Sequence, residues 1–198
     1  MKSFWDQRYE QKKFAYGIAP IDFLKETLSD LAPGKMLLPG DGEGRNAVYA
    51  ATLGWDVQSF DFSIEAQRKA LALAASQNVT IAYSLSDYQS YRPTINHYDL
   101  VGLFYTHMES EDRKRFHKRM IGGLKSGGKI VLQVFSKNQL GRNSGGPKHL
   151  SLYHSIEELS EDFSGLKIDM LKELELELDE GEFHQGLGSV LQMIATKI

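Results

Sequence analysis

The stretch Met36-Leu37-Leu38-Pro39-Gly40-Asp41-Gly42-Glu43-Gly44-Arg45-Asn46 decides how the rest of the chain is read. A short apolar run meets three glycines at every second position and passes at once into the helix-forming residues Ala47 to Leu53. This order predicts a strand, a tight turn and a helix start. Glycine suits such a turn because it adopts backbone conformations closed to other residues and lets a ligand approach the main chain, while the helix N-terminus behind it offers unpaired N–H groups. A nucleoside-like ligand fits that description. Glycine-rich turns also occur as plain loops, so the flanking elements have to carry the argument.

The helix after the turn ends at Gly54, and Trp55 to Phe60 reads as a second strand finishing at Asp61, 21 residues beyond Gly40. In a strand-helix-strand unit the second parallel strand ends beside the first, so an acid there is placed to accept hydrogen bonds from two ribose hydroxyls. The competing role for Asp61 is to cap the next helix, with Ser63 nearby. A helix rich in alanine and leucine follows from Ile64 to Ser76, then a third strand from Val79 to Ser84. Tyr98 to Phe104 is a nearly continuous apolar run, suited to a strand buried on both faces. Met108 to Leu124 reads as an amphipathic helix, closed by Lys125-Ser126-Gly127-Gly128 before the apolar strand Lys129 to Phe135. This alternation specifies an α/β fold with a parallel sheet, helices on both faces and ligands at the carboxyl ends of the strands.

The two ends of the chain behave differently. Residues 1–33 carry the aromatics Phe4, Trp5, Tyr9, Phe14 and Tyr16 on a short helix and an extended segment, then a helix with Pro20 in its first turn and the stripe Ile21, Leu24, Leu28, Leu31. After the core at 34–135, residues 136–198 begin with a loop, Ser136 to Leu150, and a helix from Ile156 to Phe163. Ile168, Met170, Leu174, Leu176 and Leu178 then alternate with mostly polar neighbours, the mark of a strand with one wet face near a sheet edge. A connection from Asp179 leads to the last strand, Ser189 to Thr196, and with no helix between them these two strands should pair antiparallel. The three segments read as parts of one domain.

Composition narrows the function. The 198 residues include no cysteine, which excludes disulfides, thiolate metal sites and cysteine nucleophiles. A net charge of −3 argues against a constitutive nucleic-acid binder. The basic run Arg113-Lys114-Arg115 with His117-Lys118-Arg119 reads as a solvated helix face, preceded by Glu109, Glu111 and Asp112 as the helix dipole prefers. The N-terminus lacks the apolar core of a signal peptide and no run is long enough to span a bilayer, so a cytoplasmic location is expected.

Arg45 holds the position at which dinucleotide enzymes place their third glycine, which disfavours an NAD-dependent oxidoreductase; glycines at 40, 42 and 44 are closer to the S-adenosylmethionine pattern. Phe4-Trp5-Asp6-Gln7-Arg8-Tyr9, Tyr16-Gly17-Ile18-Ala19-Pro20, Gly42-Glu43-Gly44-Arg45-Asn46, Leu124-Lys125-Ser126-Gly127-Gly128, Gly145-Gly146-Pro147-Lys148 and Glu180-Gly181-Glu182-Phe183-His184-Gln185-Gly186 span the chain. Together they resemble class I S-adenosylmethionine-dependent methyltransferases, in the branch of tellurite-resistance and thiopurine methyltransferase-like proteins. The resemblance implies a Rossmann-like seven-stranded sheet ordered 3-2-1-4-5-7-6, strand 7 antiparallel, and S-adenosylmethionine as cofactor. It implies that Gly40, Gly42 and Gly44 border the methionine part, that Asp61 holds the ribose, that Ser84 and Leu85 face the adenine, and that Phe104, Tyr105 and His107 line the methyl-transfer site. Tyr16, Asp41, Arg45, Asn46 and Phe62 complete the expected cofactor contacts. The chain departs from the class at Leu38 and Ser84, where acids are common; Asp41 and Asp87 are the acids available to substitute.

Methyl transfer from a sulfonium is an in-line displacement that demands alignment and exclusion of water. Aromatic rings receive a sulfonium by cation–π attraction, typically ~0.5–2 kcal/mol, so Trp5, Tyr9, Phe14 and Tyr16 are candidates for a lid, ordinary packing being the alternative. His107 is placed to act as general base or to bond a loop carbonyl or cap a helix. His184, with Glu180, Glu182 and Gln185 beside it, sits in a loop able to reach over the pocket; hydrogen-bonded structure is the reading there, not a metal site. Arg45 is expected to bind a carboxylate or pair with Glu43. The acceptor is expected to be a small molecule with a soft nucleophile, a thiol, selenol or metalloid oxyanion. A non-catalytic module that binds the cofactor or its homocysteine product, and an RNA methyltransferase, are the alternatives.

Overall fold

The computed structural model describes residues 2–198, with side chains from Trp5 onward, so Phe4 among the N-terminal aromatics lies outside the described side chains. The chain forms two compact units, one made of the residues up to Tyr91 with Glu180–Phe183, the other of Arg92–Asp179 with His184–Ile198.

In the first unit, the helix α1 (Lys2–Tyr9) and α2 (Asp22–Ser29) precede strand β1 (Lys35–Pro39). Met36, Leu37 and Leu38 are buried, as a strand covered on both faces requires. α3 (Arg45–Thr52) crosses to β2 (Asp56–Asp61), and α4 (Ile64–Ser76) crosses to β3 (Ala82–Leu85). Both strand pairs are parallel, with Pro39 opposite Phe60 and Asp61 opposite Leu85. Ser63 caps α4 by accepting the Ala66 N–H.

Two boundaries differ from the pattern-based expectation. Pro20 precedes α2 instead of opening it, because Ile21 is held extended by donating its N–H to Asn46 Oδ1 at 3.0 Å. β3 starts at Ala82 because Asn78 takes a left-handed conformation (φ 55°) and Val79 N–H closes on Ala74 O, a helix-terminating arrangement that uses up the first residues of the expected strand.

The second unit contains β4 (Tyr98–Phe104), α5 (Ser110–Gly123), β5 (Leu124–Phe135), α6 (Ile156–Asp162), β6 (Lys167–Asp179) and β7 (Gln185–Thr196). β4 and β5 are parallel; β7 runs antiparallel to both β5 and β6. β5 begins five residues earlier than expected, because the Lys-Ser-Gly-Gly segment is drawn into the sheet by Gly127 N–H to Lys197 O and Lys197 N–H to Gly128 O. The strand order is β3-β2-β1-β4-β5-β7-β6, a seven-stranded Rossmann-like sheet with strand 7 antiparallel and helices around it. β6, with its alternating exposure, is the edge its sequence indicates.

The basic run on α5 is corrected by the structure. Arg113 and His117 are not solvated but buried, and both bond the wholly buried Asp162 of α6, Arg113 Nε at 2.7 Å and His117 Nδ1 at 2.8 Å. Burial holds the His117 imidazole below its usual range, so it stands neutral and donates Nδ1–H to the carboxylate. Lys114 and Arg115 reach Glu161 and Asp112 at the surface. Removing one member of a buried pair leaves the other charge uncompensated. Asp162→Ala is therefore expected to lower unfolding stability by about 3–5 kcal/mol in urea titration at pH 7, whereas Glu161→Ala leaves it within about 1 kcal/mol; equal effects of the two would contradict this assignment.

Candidate active site

Gly40, Gly42 and Gly44 have φ of 63°, 56° and 84°, left-handed conformations that cost other residues about 1–2 kcal/mol each. Each glycine has a different neighbour. A β-carbon on Gly40 would lie 2.0 Å from the Tyr88 hydroxyl, one on Gly42 2.8 Å from the Tyr9 hydroxyl, and one on Gly44 2.5 Å from the Ala70 β-carbon of α4. Gly44 thus permits helix packing, while Gly40 and Gly42 leave the turn's backbone faced by tyrosine hydroxyls. Tyr83 Oη adds a third, donating to Gly42 O at 2.6 Å. Tyr83 and Tyr88 were not singled out by sequence reasoning; the signal was a tyrosine pair in and just after the third strand, at the end where the adenine was expected.

Two carboxylates flank this turn. Asp41 Oδ2 accepts the Ala47 N–H of α3, and its Oδ1 is buried with no partner. Burial pushes this carboxyl up to about 7, against the pull of the Ala47 N–H, Arg45 and the Asn46 amide. Asp61 accepts the Ser63 N–H at 3.0 Å, and burial raises it to about 6 against the backbone N–H groups of Ser63, Gly42 and Phe62. Leu85 is paired with Asp61 and Ser84 with Phe60 across β2 and β3, so these residues share one end of the strand pair. Asp87 caps its own exposed turn, accepting from Gln89 and Ser90, which leaves Asp41 as the acid built into the glycine turn.

Arg45 does not pair with Glu43. It bonds Glu180 Oε2 at 2.8 Å and the Tyr16 carbonyl at 3.0 Å, while Glu43 pairs with Lys69 at 2.7 Å and accepts the Ala15 N–H. The reason is reach across the sequence: α4 and the N-terminal segment bring Lys69 and Ala15 to Glu43. Asn46 is occupied by Ile21. Tyr16 accepts a hydrogen bond from Arg8 at 2.8 Å, and the Arg8 guanidinium lies 3.9 Å from the centre of the Phe183 ring. Trp5 stacks on Tyr9, which is buried against Ala15 and Ala66.

In the second unit, Phe104 ends β4 and is buried, and Tyr105 follows in a left-handed conformation, φ 52°. Its ring lies 4.7 Å from those of both Phe135 and His184, and His107 stacks parallel to Phe135 at 5.8 Å. The three expected catalytic residues therefore collect around one phenyl ring. His107 Nδ1 lies 3.1 Å from Leu152 O, so this nitrogen carries the proton and Nε2 presents a lone pair. Burial brings His107 down to about 4, which the Leu152 carbonyl opposes and His184 reinforces. It is a neutral acceptor at physiological pH. His154, which no sequence pattern singles out, lies 6.2 Å from His107 with both ring nitrogens buried and unpartnered. Among the described residues no group of three or more His, Asp and Glu side chains is arranged to hold a metal ion, and no helix is long and apolar enough to cross a membrane.

Comparison with known proteins adds the following. Residues 37–128 match the family model of a methyltransferase domain. No curated protein matches the chain. A structure described under the conversion of a disulfide bond into a thioacetal group during echinomycin biosynthesis is similar over 100% of this chain and 91% of its own, with a TM-score of 0.80 and 17% identity. TehB from Haemophilus influenzae is similar over 100% of this chain and 67% of its own, TM-score 0.76, 19% identity. The N-methyltransferase NodS from Bradyrhizobium japonicum WM9 is similar over 89% and 92%, TM-score 0.69, 13% identity. At these identities the likeness to solved structures is one of fold. Residues 37–128 are thus similar to a methyltransferase domain, and the strand order around them is that of the class I methyltransferase Rossmann-like fold.

Proposed function

We propose that the chain methylates a small, soft nucleophile, with sulfur as the leading acceptor atom and selenium or a metalloid oxyanion in the same class. The observation that carries this reading is the uncharged, aromatic setting of His107: a neutral imidazole and the Tyr105 phenol packed around Phe135. Such surroundings suit a polarisable acceptor whose charge is absent or diffuse better than one with a localised charge. The fold likeness to TehB and to the structure linked with disulfide-to-thioacetal conversion supports placing the chain in the tellurite-resistance and thiopurine methyltransferase-like branch.

The residues present fit S-adenosylmethionine. Bound, it supplies an electrophilic methyl group on a sulfonium cation. The unpartnered Asp41 Oδ1 suits the amino group of the methionine part, and Asp61 with the neighbouring Leu85 suits the ribose and the base. The hydroxyls of Tyr9, Tyr83 and Tyr88 face the turn. Trp5, Tyr9 and Tyr16 serve as the N-terminal wall of the site, while Arg45 and Asn46 act by holding that wall in place. On the acceptor side, the neutral His107 Nε2 accepts a hydrogen bond from the nucleophile and orients it, and the rings of Tyr105, Phe135 and His184 keep water out. An RNA substrate is weakened by the burial of Arg113 and His117, which removes them from any phosphate-binding face.

Methyl-labelled S-adenosylmethionine incubated with aryl and alkyl thiols, selenite and tellurite, with products read by mass spectrometry, tests the reading. A methyl thioether or a methylated selenium or tellurium product is expected. Tight binding of S-adenosylhomocysteine with no product from any acceptor would favour the non-catalytic module. His107→Gln is expected to lower kcat by about 10²-fold or more with cofactor affinity unchanged.

The two raised carboxylates set a pH dependence. Below about 7 and about 6 respectively, Asp41 and Asp61 hold protons that a bound ammonium or ribose hydroxyl must displace. Affinity for S-adenosylhomocysteine in calorimetry should therefore strengthen roughly tenfold or more from pH 6 to pH 8, and in Asp41→Asn the rise should shrink to the roughly twofold due to Asp61. For the unliganded fold the sign is opposite: both groups favour the protonated native state, so the stability they contribute is full below the ordinary carboxylate range and is lost as pH rises from there up to about 6 for Asp61 and about 7 for Asp41. A pH-independent affinity would contradict the role given to Asp41.

A further inference from the structure

In the middle of the antiparallel β5–β7 pair, Gln133 faces Gln192. Their strand neighbours Leu132, Val134, Leu191 and Met193 are all buried, and the glutamines themselves are 2% and 7% exposed. A buried amide is costly unless its hydrogen bonds are made, and apolar side chains of similar volume fit such a place without that requirement. Holding the strands together does not explain the pair, since the ladder already joins Lys129–Phe135 to Val190–Thr196.

The amides point in one direction. Gln192 Nε2 donates to Gln133 Oε1 at 2.8 Å, and Gln133 Nε2 donates to Tyr105 Oη at 3.0 Å. The Gln133 main chain holds the same residue a second time, its carbonyl accepting the Tyr105 N–H at 2.8 Å. Tyr105 needs such restraint, because its φ of 52° is a conformation that persists for a side-chain-bearing residue only when the surroundings impose it.

We propose that Gln133 and Gln192 are positioning residues for methyl transfer, a two-amide relay that fixes the strained Tyr105 and sets its phenol as the hydrogen-bond donor to the acceptor substrate. A hydrogen bond donated to the phenol oxygen draws charge from it and strengthens its own O–H as a donor, and a chain of two amides reinforces that effect. Gln192 acts only through Gln133 and Gln133 only through Tyr105, so neither is a catalytic residue. The inference rests on the reading that Tyr105 lines the methyl-transfer site.

The test uses the full chain labelled with ¹³Cζ-tyrosine, the Tyr105 signal being assigned with Tyr105→Phe. Gln192→Leu, which leaves every atom touching Tyr105 in place, is expected to shift the Tyr105 signal and to raise the pH at which it titrates. The double variant Gln133→Leu/Gln192→Leu is expected to melt no lower than the parent, yet to lose at least tenfold in kcat for thiol methylation with acceptor KM and S-adenosylhomocysteine affinity unchanged. An unmoved Tyr105 signal in Gln192→Leu overturns the relay. So does a double variant that melts lower, or fails to fold, or keeps full kcat. If the parent protein methylates no acceptor, the functional reading fails, and the NMR signal of Gln192→Leu decides the relay by itself.

Discussion

The first unit is assembled around one buried ion pair. Glu43 stands between two left-handed glycines and bonds Lys69 of α4 at 2.7 Å, with both side chains almost wholly buried. Neither partner is satisfied by the other alone. Glu43 also accepts the Ala15 N–H, and Lys69 also donates to the Lys13 carbonyl. Glycine turn, helix α4 and N-terminal segment therefore meet at two side chains, and removal of either would leave a charge stranded in the interior. Arg45 repeats the device two residues on, tying Glu180 and the Tyr16 carbonyl to the start of α3. In Gly-Glu-Gly-Arg the glycines give the backbone its shape, and the two charged residues gather segments from both ends of the chain onto it. Gly181 completes the gathering, since its lack of a side chain lets it lie directly against the backbone of residues 15–17.

The two units differ in electrostatic character. Around the glycine turn stand two carboxylates raised by burial, a setting that favours a bound cation over bulk water because the ligand's charge replaces protons that the free protein holds. Around Phe135 stand rings, those of Tyr105, His107 and His184, and burial pushes His107 and the neighbouring His154 toward the neutral form. Three residues after Leu38, inside the turn, Asp41 is supported by the Ala47 N–H of α3.

What the sequence made legible is what local pattern controls. The bounds of α4, the ending of β2 at Asp61, the wet-faced edge strand β6 and the antiparallel β7 follow from periodicity, capping and connection length. The collection of Tyr105, His107 and His184 around one ring follows from their place at strand ends and in the β6–β7 connection. The errors came where distant contacts overrule local preference. Arg113 and His117 look like a solvated face until Asp162, 45 residues beyond His117, is brought beneath them. Of the two partners expected for Arg45, a carboxylate or the nearby Glu43, the fold supplies a carboxylate, Glu180, and gives Glu43 to Lys69. Gln133 and Gln192 carry no signal at all, since a glutamine in an apolar strand acquires meaning only when the strand opposite supplies the second one.

The central claim is that the turn from Gly40 to Gly44, with Asp41 and Asp61, holds the methyl donor. A crystal structure with S-adenosylhomocysteine bound tests it most directly. The account predicts both ribose hydroxyls on the Asp61 carboxylate and the amino group on Asp41 Oδ1. A nucleoside seated away from Gly40–Gly44, or bound with Asp61 contacting only the Ser63 amide, would contradict it.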